Sequence, residues 1–143
     1  MIRVTCFGSP KDLSARDVYI KRIRDQIPFE WTDLRLKKNP DSRTAEILPE
    51  EEKFLAQTKS FVLLDVEGDQ MTSEDFYRFC FQGSPDRHFV VGPAAGFPPA
   101  FRQRASMKLS LSRLTFTHGT AQLMLAESLY RSVCILKNHP FVK

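Results

Sequence analysis

The sequence predicts an α/β fold in which a mostly parallel sheet carries helices on both faces. Strand-like and helix-like segments alternate along the chain, as expected of parallel strands joined by helical crossovers. Residues 61–64 and 88–91 are short, largely apolar runs, which are typical of strands buried on both faces. In the last third of the chain the apolar period changes from two to that of a helix, so a final strand is followed directly by a long helix.

Two strands flank the first helix. Residues 2–7 alternate apolar and polar side chains, and residues 29–36 form a second strand that contains Trp31 as a core residue. Asp12 is the predicted N-cap of the helix between them. The apolar stripe of this helix consists of Leu13, Ile20, Ile23 and Ile27. Pro28 ends the helix, because proline cannot continue the hydrogen-bonded ladder.

A polar loop and a short acidic helix come next. Residues 37–43 are polar and include a proline, a composition typical of a mobile loop. Pro49 suits the first turn of the following helix, and the glutamates at residues 50–52 favour its positive N-terminal end. We therefore interpret these glutamates as helix-end electrostatics rather than as a metal or catalytic cluster.

The second half of the chain continues the alternation. The strand at residues 61–64 precedes a helix capped by Thr72 or Ser73, and the strand at residues 88–91 precedes a short helix that starts at residues 98–99. The predicted core-facing residues of these two helices are Phe76, Phe79, Cys80, Phe101 and Ala105.

The last strand and the last helix adjoin each other. Residues 107–111 alternate in polarity, and apolar residues then recur at helical spacing. Those residues are Leu123, Ala126, Leu129, Tyr130, Val133 and Cys134. Thr120 is the predicted N-cap, although Thr117 or His118 would serve in a longer helix. Pro140 ends the helical pattern.

Composition indicates one soluble domain over residues 1–143, with 42% hydrophobic and 27% charged residues. No apolar run approaches a membrane span, and the N-terminus lacks a signal-peptide pattern, so a cytoplasmic protein is expected. The three cysteines lie far apart in apolar settings, which predicts buried free thiols. No cysteine or histidine spacing resembles a metal site.

Charge is unevenly distributed along the chain. Residues 87–143 contain eight lysines and arginines and one acidic residue, Glu127, whereas the rest of the chain is net acidic. Such an asymmetry favours a polyanionic partner such as RNA. A solvated basic face is the simpler alternative, and charge alone favours RNA only slightly.

Three loops are predicted to follow strands, at residues 65–68, 92–96 and 112–119. Ligands of open α/β sheets bind at this edge, beyond the carboxyl ends of the strands. The loop at residues 92–96 lacks the GxGxxG spacing, and the chain has no Walker pattern. From the residues alone, these glycines are turn formers, and a flavodoxin-like nucleotide-binding domain stays open as an alternative.

The second half of the chain also carries a series of distinctive motifs. In order, they are Leu64-Asp65 with Gly68, Val91-Gly92 with Gly96, LSRLTF at residues 111–116 followed by His118, AESLYR at residues 126–131, and Asn138-His139-Pro140. This series resembles the RlmH family, small SPOUT methyltransferases that modify a pseudouridine of large-subunit ribosomal RNA. The resemblance extends over the whole chain, but the distinctive motifs lie in its second half.

The resemblance implies a SPOUT-type fold with a C-terminal trefoil knot, a homodimer that acts on the ribosome, and S-adenosylmethionine as cofactor. It implies methyl transfer to a ring nitrogen, N3, of a pseudouridine. Neither a metal ion nor a membrane is implied. The cofactor contacts that it implies are Leu64, Gly92, Leu111, Ser112, Arg113, Leu114, Thr115 and Phe116. Main-chain groups would form hydrogen bonds with the adenine there, between apolar leucine side chains.

The same resemblance implies catalytic roles for Arg131, Glu127 and His139. The acceptor nitrogen must lose a proton, so a base or an electrostatic stabiliser is needed. Arg131 is the strongest candidate for a substrate or transition-state contact. Without the resemblance, Arg131 and Glu127 form an ordinary surface pair on one helix.

The chain departs from the family pattern at several positions. Residues 141–142 are Phe-Val where the family has Tyr-His, and Pro93, Ala95 and Gln122 replace a glycine, an acid and an arginine, respectively. The altered tail keeps a second function open, that of a non-catalytic SPOUT-fold protein that binds the ribosome or RNA.

Overall fold

The computed structural model describes residues 1–8, 11–38 and 46–140. Strands and helices alternate along the chain, as the sequence predicts. The elements are β1 (Ile2–Phe7), α1 (Ser14–Arg24), β2 (Phe29–Leu34), α2 (Pro49–Gln57), β3 (Val62–Gln70), α3 (Ser73–Phe81), β4 (Arg87–Val91), α4 (Pro99–Arg102), β5 (Met107–Ser110) and α5 (His118–Leu136).

The five strands form one sheet in the order β2-β1-β4-β3-β5, and every neighbouring pair is parallel. The carboxyl ends of all the strands therefore meet at one edge of the sheet. This confirms the predicted α/β fold. It also places the loops after β4 and β5 on either side of β3, because β3 lies between these two strands in the sheet.

Helices cover both faces of the sheet, and each face has its own core. Alternate residues of a strand point to opposite faces, so Val4 and Phe7 of β1 belong to different cores. The Val4 core contains side chains of α1, α3 and α5. The Phe7 core is rich in phenylalanine and contains side chains of α2 and α4. Trp31, predicted as a core residue, is buried in the first of these cores.

Strand β3 is longer than predicted and contains a bulge. Leu64 and Asp69 both pair with Leu109 of β5, so residues 65–68 leave the ladder and return to it. Gly68 makes the return possible, because a Cβ atom there would lie 2.5 Å from the carbonyl carbon of Lys108. The polar sequence of this segment does not have the pattern of a strand, which explains why the sequence predicted only its first residues.

Helix caps differ in detail from the prediction. Helix α5 starts earlier than the preferred cap Thr120 implies, and its N-cap is Thr117, whose Oγ1 accepts a hydrogen bond from Thr120 N. The N-cap of α1 is Leu13, while the carboxylate of Asp12 accepts a hydrogen bond from Ser14 N. Glu51 is fully buried and accepts a hydrogen bond from the backbone N–H of Leu48, the N-cap of α2, so it satisfies one donor at the start of that helix.

The three cysteines are buried and free, as predicted. Burial raises the pKa of the Cys80 thiol to about 12, so this thiol stays protonated. Within the three described ranges, no helix is both long and apolar enough to cross a membrane. In that same part of the chain, no group of three or more histidine, cysteine, aspartate or glutamate side chains is placed to hold a metal ion. The trefoil knot stays a prediction.

Candidate functional site

A cleft of about 860 Å³ opens at the carboxyl edge of the sheet, beside the bulge of β3 and the ends of β4 and β5. Three segments form its walls: the β3 bulge, the loop at residues 91–97 and the loop at residues 111–117. The first turn of α5 closes one side through His118 and Ala121. This is the edge at which an open parallel sheet binds ligands, because loops from neighbouring strands diverge there.

The loop at residues 111–117 is shaped by short-range hydrogen bonds. Ser112 Oγ accepts a hydrogen bond from Leu114 N at 3.0 Å, and Ser110 Oγ donates one to Ser112 O at 2.9 Å. Arg113 Nη1 donates to the carbonyl oxygen of Val66 at 2.6 Å, so this side chain ties the loop to the β3 bulge. Leu114 is 70% exposed, which leaves an apolar surface at the mouth of the cleft.

An aromatic stack supports the loop after β4. The rings of Phe97 and Phe101 lie parallel, with centroids 3.9 Å apart. Gly92 packs against this stack, because a Cβ atom there would lie only 3.0 Å from Phe97 Cε2. Gly96 has a φ of +77°, a conformation that favours glycine, and it closes a turn on the Pro93 carbonyl. The cleft therefore has a rigid aromatic wall next to a residue without a side chain.

The charged groups of the cleft lie mainly on its β3 side. Arg102 donates through Nε and Nη2 to Asp65 Oδ2, at 3.2 and 2.5 Å. Burial alone would raise the pKa of Asp65, but the hydrogen bonds from Glu67 N and Arg102 outweigh it and lower that pKa. Asp65 is therefore ionised at neutral pH, and the ion pair braces the bulge against α4.

His118 is the imidazole of the cleft. Burial lowers its pKa, so the ring is neutral at pH 7. Its Nδ1 is buried and has no hydrogen-bond partner among the residues that the structure describes. The ring also lies close to the end of β1, since a Cβ atom on Gly8 would be 3.6 Å from His118 Cε1.

A family model described as Predicted SPOUT methyltransferase matches residues 1–141. The chain belongs to the SPOUT methyltransferase family. Two similar proteins bear the name Ribosomal RNA large subunit methyltransferase H. The one from Geobacter sulfurreducens is 34% identical over 98% of this chain and 97% of its own length. The one from Solibacter usitatus is 39% identical, over 95% of this chain and 94% of its own length.

A solved structure shares the fold. It is a Legionella pneumophila methyltransferase in complex with bound S-adenosylmethionine, and it superposes on this SPOUT chain with a TM-score of 0.50. The match has 14% identity and covers 90% of this chain and 64% of the Legionella protein. At this identity, the likeness shows the SPOUT fold and not a shared substrate.

The structure gathers most of the predicted cofactor residues of this SPOUT protein in one place. Those that line the cleft are Leu64, Gly92, Leu111, Ser112, Leu114, Thr115 and Phe116. They come from three separate segments of the chain. Arg113 is the exception, because its guanidinium bonds to the bulge and does not line the cleft.

The three predicted catalytic residues lie elsewhere. Arg131 Nη2 is 3.8 Å from Glu127 Oε1 on the surface of α5, and both side chains are partly exposed. Arg131 follows His118 by thirteen residues, which places it about 20 Å farther along the helix. His139 lies beside Tyr130 and other residues in a small pocket near the end of α5. None of the three lines the cleft of this chain, and the altered tail at residues 141–143 lies outside the described residues.

Sequence reasoning missed two charged residues, Arg102 in the lining of the cleft and Arg16 beside the first turns of α5. Arg102 follows Phe101 in α4 and gives no pattern signal of its own. Arg16 is only 5% exposed, and it precedes Ile20 and Ile23 by four and seven residues. An arginine in register with an apolar stripe is the signal that would have found it.

Proposed function

We propose that this protein is an S-adenosylmethionine-dependent methyltransferase that methylates N3 of a pseudouridine in large-subunit ribosomal RNA. The observation that carries the proposal is the cleft itself, which three distant segments build from the residues that the family resemblance assigns to the cofactor. The ribosomal RNA methyltransferases that match nearly the whole chain support an RNA substrate. Because ribosomes lie in the cytoplasm, a protein that methylates them would also act there.

The cleft fits the cofactor in size and in chemistry. Its volume of about 860 Å³ lies in the range of small-molecule pockets. Leu64, Leu111 and Leu114 line it with apolar surface, and the polar loop that includes Ser112 offers main-chain groups to the edges of an adenine. When bound there, S-adenosylmethionine supplies a methyl group on a sulfonium, whose sulfur is already a good leaving group.

The protein's own task is then to hold donor and acceptor in line and to stabilise charge. The pyrimidine becomes negative as its N3 proton leaves, so a nearby cation stabilises the transition state more than the ground state. Arg131 is the proposed cation, with Glu127 four residues before it to orient the guanidinium. His139, three residues beyond the end of the same helix, is the third proposed catalytic residue.

We further propose a homodimer, because one chain does not complete the site. Arg131 lies about 20 Å along α5 from the turn that lines the cleft, too far to reach a methyl group bound there. A second copy would bring its own Arg131 to the cleft. Helix α5 supports this arrangement, since Leu123 and Met124 are only half-buried and Leu136 is 41% exposed.

Sedimentation equilibrium at micromolar concentration is therefore expected to give twice the mass of the 16.5 kDa chain. A mixture of Gly92→Val and Arg131→Ala chains tests the shared site directly. Reassociated mixed dimers would contain one intact cleft next to one intact Arg131, so at limiting cofactor the mixture is expected to be more active than either variant alone. A monomer at micromolar concentration would contradict the proposal.

Calorimetry and methyl transfer together test the function. Wild-type protein is expected to bind S-adenosylmethionine and to transfer a labelled methyl group to ribosomes from a strain that lacks the modification. The product nucleoside, analysed after digestion, is expected to be N3-methylpseudouridine. Binding without transfer would favour the non-catalytic alternative, to which the Phe-Val pair at residues 141–142 points. Stabilisation of the fold by a flavin or a nucleotide, and not by S-adenosylmethionine, would reject both the methyltransferase and its non-catalytic alternative.

A further inference from the structure

A buried arginine joins three elements beside the first turns of α5. Arg16 of α1 is 5% exposed, and its guanidinium donates to both carboxylate oxygens of Asp33, at 2.7 and 2.8 Å. It also donates to Asp17 Oδ1, at 3.0 and 2.8 Å. Its Nη1 makes a further hydrogen bond of 2.6 Å to Gln122 Oε1 of α5. One side chain therefore connects α1, the end of β2 and the start of α5.

The cluster keeps the guanidinium charged. Burial alone would lower the pKa of Arg16, but the hydrogen bonds to Asp33 and Asp17 outweigh it and raise that pKa. The guanidinium carbon also lies 5.2 Å from the centre of the Trp31 ring, a cation–π distance. The carboxylate partners are partly exposed, at 39% for Asp33 and 57% for Asp17, so solvent screens these ion pairs and reduces their contribution to stability. Stability alone therefore does not account for a charge at this position.

Gln122 connects the cluster to the cleft. It is fully buried, lies one turn after His118, and directly follows Ala121, and both of these residues line the cleft. Its Nε2 finds no hydrogen-bond partner within the described ranges, an arrangement that costs free energy in a buried site. The Gln122 amide group therefore lowers the stability of the fold, but its oxygen accepts a hydrogen bond from Arg16 and so links Arg16 to α5.

We propose that Arg16 is a positioning residue that acts through Gln122 to hold the first turns of α5 against the sheet, and so sets the cleft for its cofactor. The apolar face of α5 fixes the helix farther along through residues such as Leu125 and Leu129. Close packing alone allows small shifts of the first turn, whereas a charged hydrogen bond has a defined length and direction. The inference rests on the proposed cofactor site.

Gln122→Met tests the inference, because it keeps the volume of the side chain and removes the acceptor. Arg16 keeps Asp33 and Asp17, so the protein is expected to fold. Calorimetric titration with S-adenosylhomocysteine, the demethylated product, is expected to give a Kd about tenfold higher than that of wild type. A factor of about ten corresponds to the free energy of one hydrogen bond to a charged group. Gln122→Glu restores an acceptor and is expected to bind within about twofold of wild type.

Ser132→Ala is the matched control. Ser132 is also a buried polar residue of α5, it donates to Ser128 O, and it lies ten residues beyond Gln122. Its removal is expected to change the melting temperature but not the Kd. Should Gln122→Met fail to fold, Arg16→Lys replaces it, since lysine keeps the charge but not the forked geometry.

The outcomes separate this inference from the proposed function. Wild-type protein that binds neither S-adenosylmethionine nor its product would reject the cofactor site itself. Wild-type affinity in Gln122→Met, or in Arg16→Lys if that variant is needed, would overturn the positioning role. A lower melting temperature with an unchanged Kd would make the cluster purely structural and would overturn the role as well.

Discussion

Gly92→Val is expected to weaken the binding of S-adenosylmethionine by roughly tenfold to hundredfold while the chain stays folded. A Cβ atom at Gly92 would already lie 3.0 Å from Phe97 Cε2, and valine adds two further carbons. Phe97 cannot move aside easily, because it stacks on Phe101 at 3.9 Å and packs edge-on against Phe7 at 5.1 Å. The valine must therefore displace the loop or extend into the cleft. Overpacking costs about 1–3 kcal/mol, which corresponds to a loss of roughly tenfold to hundredfold in affinity.

Two further variants make this test specific. Combining Gly92→Val with Phe97→Ala removes the ring that the valine meets, so part of the affinity is expected to return. Ser112→Ala lies in the same cleft but leaves the main chain in place, and its effect on Kd is expected to be small. Calorimetry measures all three affinities, and circular dichroism checks the fold. Unchanged affinity in Gly92→Val would show that the cofactor does not bind in this cleft.

The fold was predictable because local patterns determine most of it. Alternating strands and helices favour a parallel sheet, and such a sheet places the ends of β3, β4 and β5 side by side. The β3 bulge was not predictable in this way. Its residues are polar, and their place in the sheet depends on Gly68 approaching the backbone of β5, a contact between segments about forty residues apart.

The cleft could be predicted from local sequence patterns, whereas the Arg16 cluster could not. Residues of the loops that follow strands are candidates for a site in any open α/β sheet, so Leu64 and Gly92 could be proposed before the structure was known. Arg16 meets Gln122 across 106 residues of sequence. A charged residue is normally assigned to the surface, because burial of an ion is costly. Its burial is explained only by partners that the tertiary fold assembles.

The catalytic candidates were visible in the sequence, but a single folded chain does not bring them to the cleft. The i, i+4 pair of Glu127 and Arg131 is visible in the sequence and present in the structure, at 3.8 Å. Neither observation distinguishes a catalytic pair from an ordinary surface pair. Their role depends on the proposed second copy, which neither the periodicity of α5 nor the geometry of one chain defines.

Arg131→Ala is expected to lower the turnover number by about 10²–10³-fold, the usual effect of removing one group that stabilises transition-state charge. The Kd for S-adenosylmethionine is expected to stay near that of wild type, because the proposed contact of Arg131 is with negative charge that develops on the pyrimidine only in the transition state. The melting temperature should change little, since a partly exposed helical pair contributes at most about 1 kcal/mol. A fall in turnover without a change in binding or stability would identify a contact made in the transition state.

Arg78→Ala on α3 is the matched control for this experiment. Arg78 pairs with Glu74 four residues before it, at 2.6 Å, as Arg131 pairs with Glu127 on α5. Both variants lose one surface arginine and one i, i+4 pair, so they share any effect of net charge on RNA binding. Arg78→Ala also loses a pair with Asp75 at 3.2 Å, so it is at least as severe a test of helix stability. Turnover of Arg78→Ala is expected to equal that of wild type under saturating ribosomes and cofactor. Wild-type turnover in Arg131→Ala would reject its catalytic role, and an equal loss in both variants would assign the effect to general attraction of RNA.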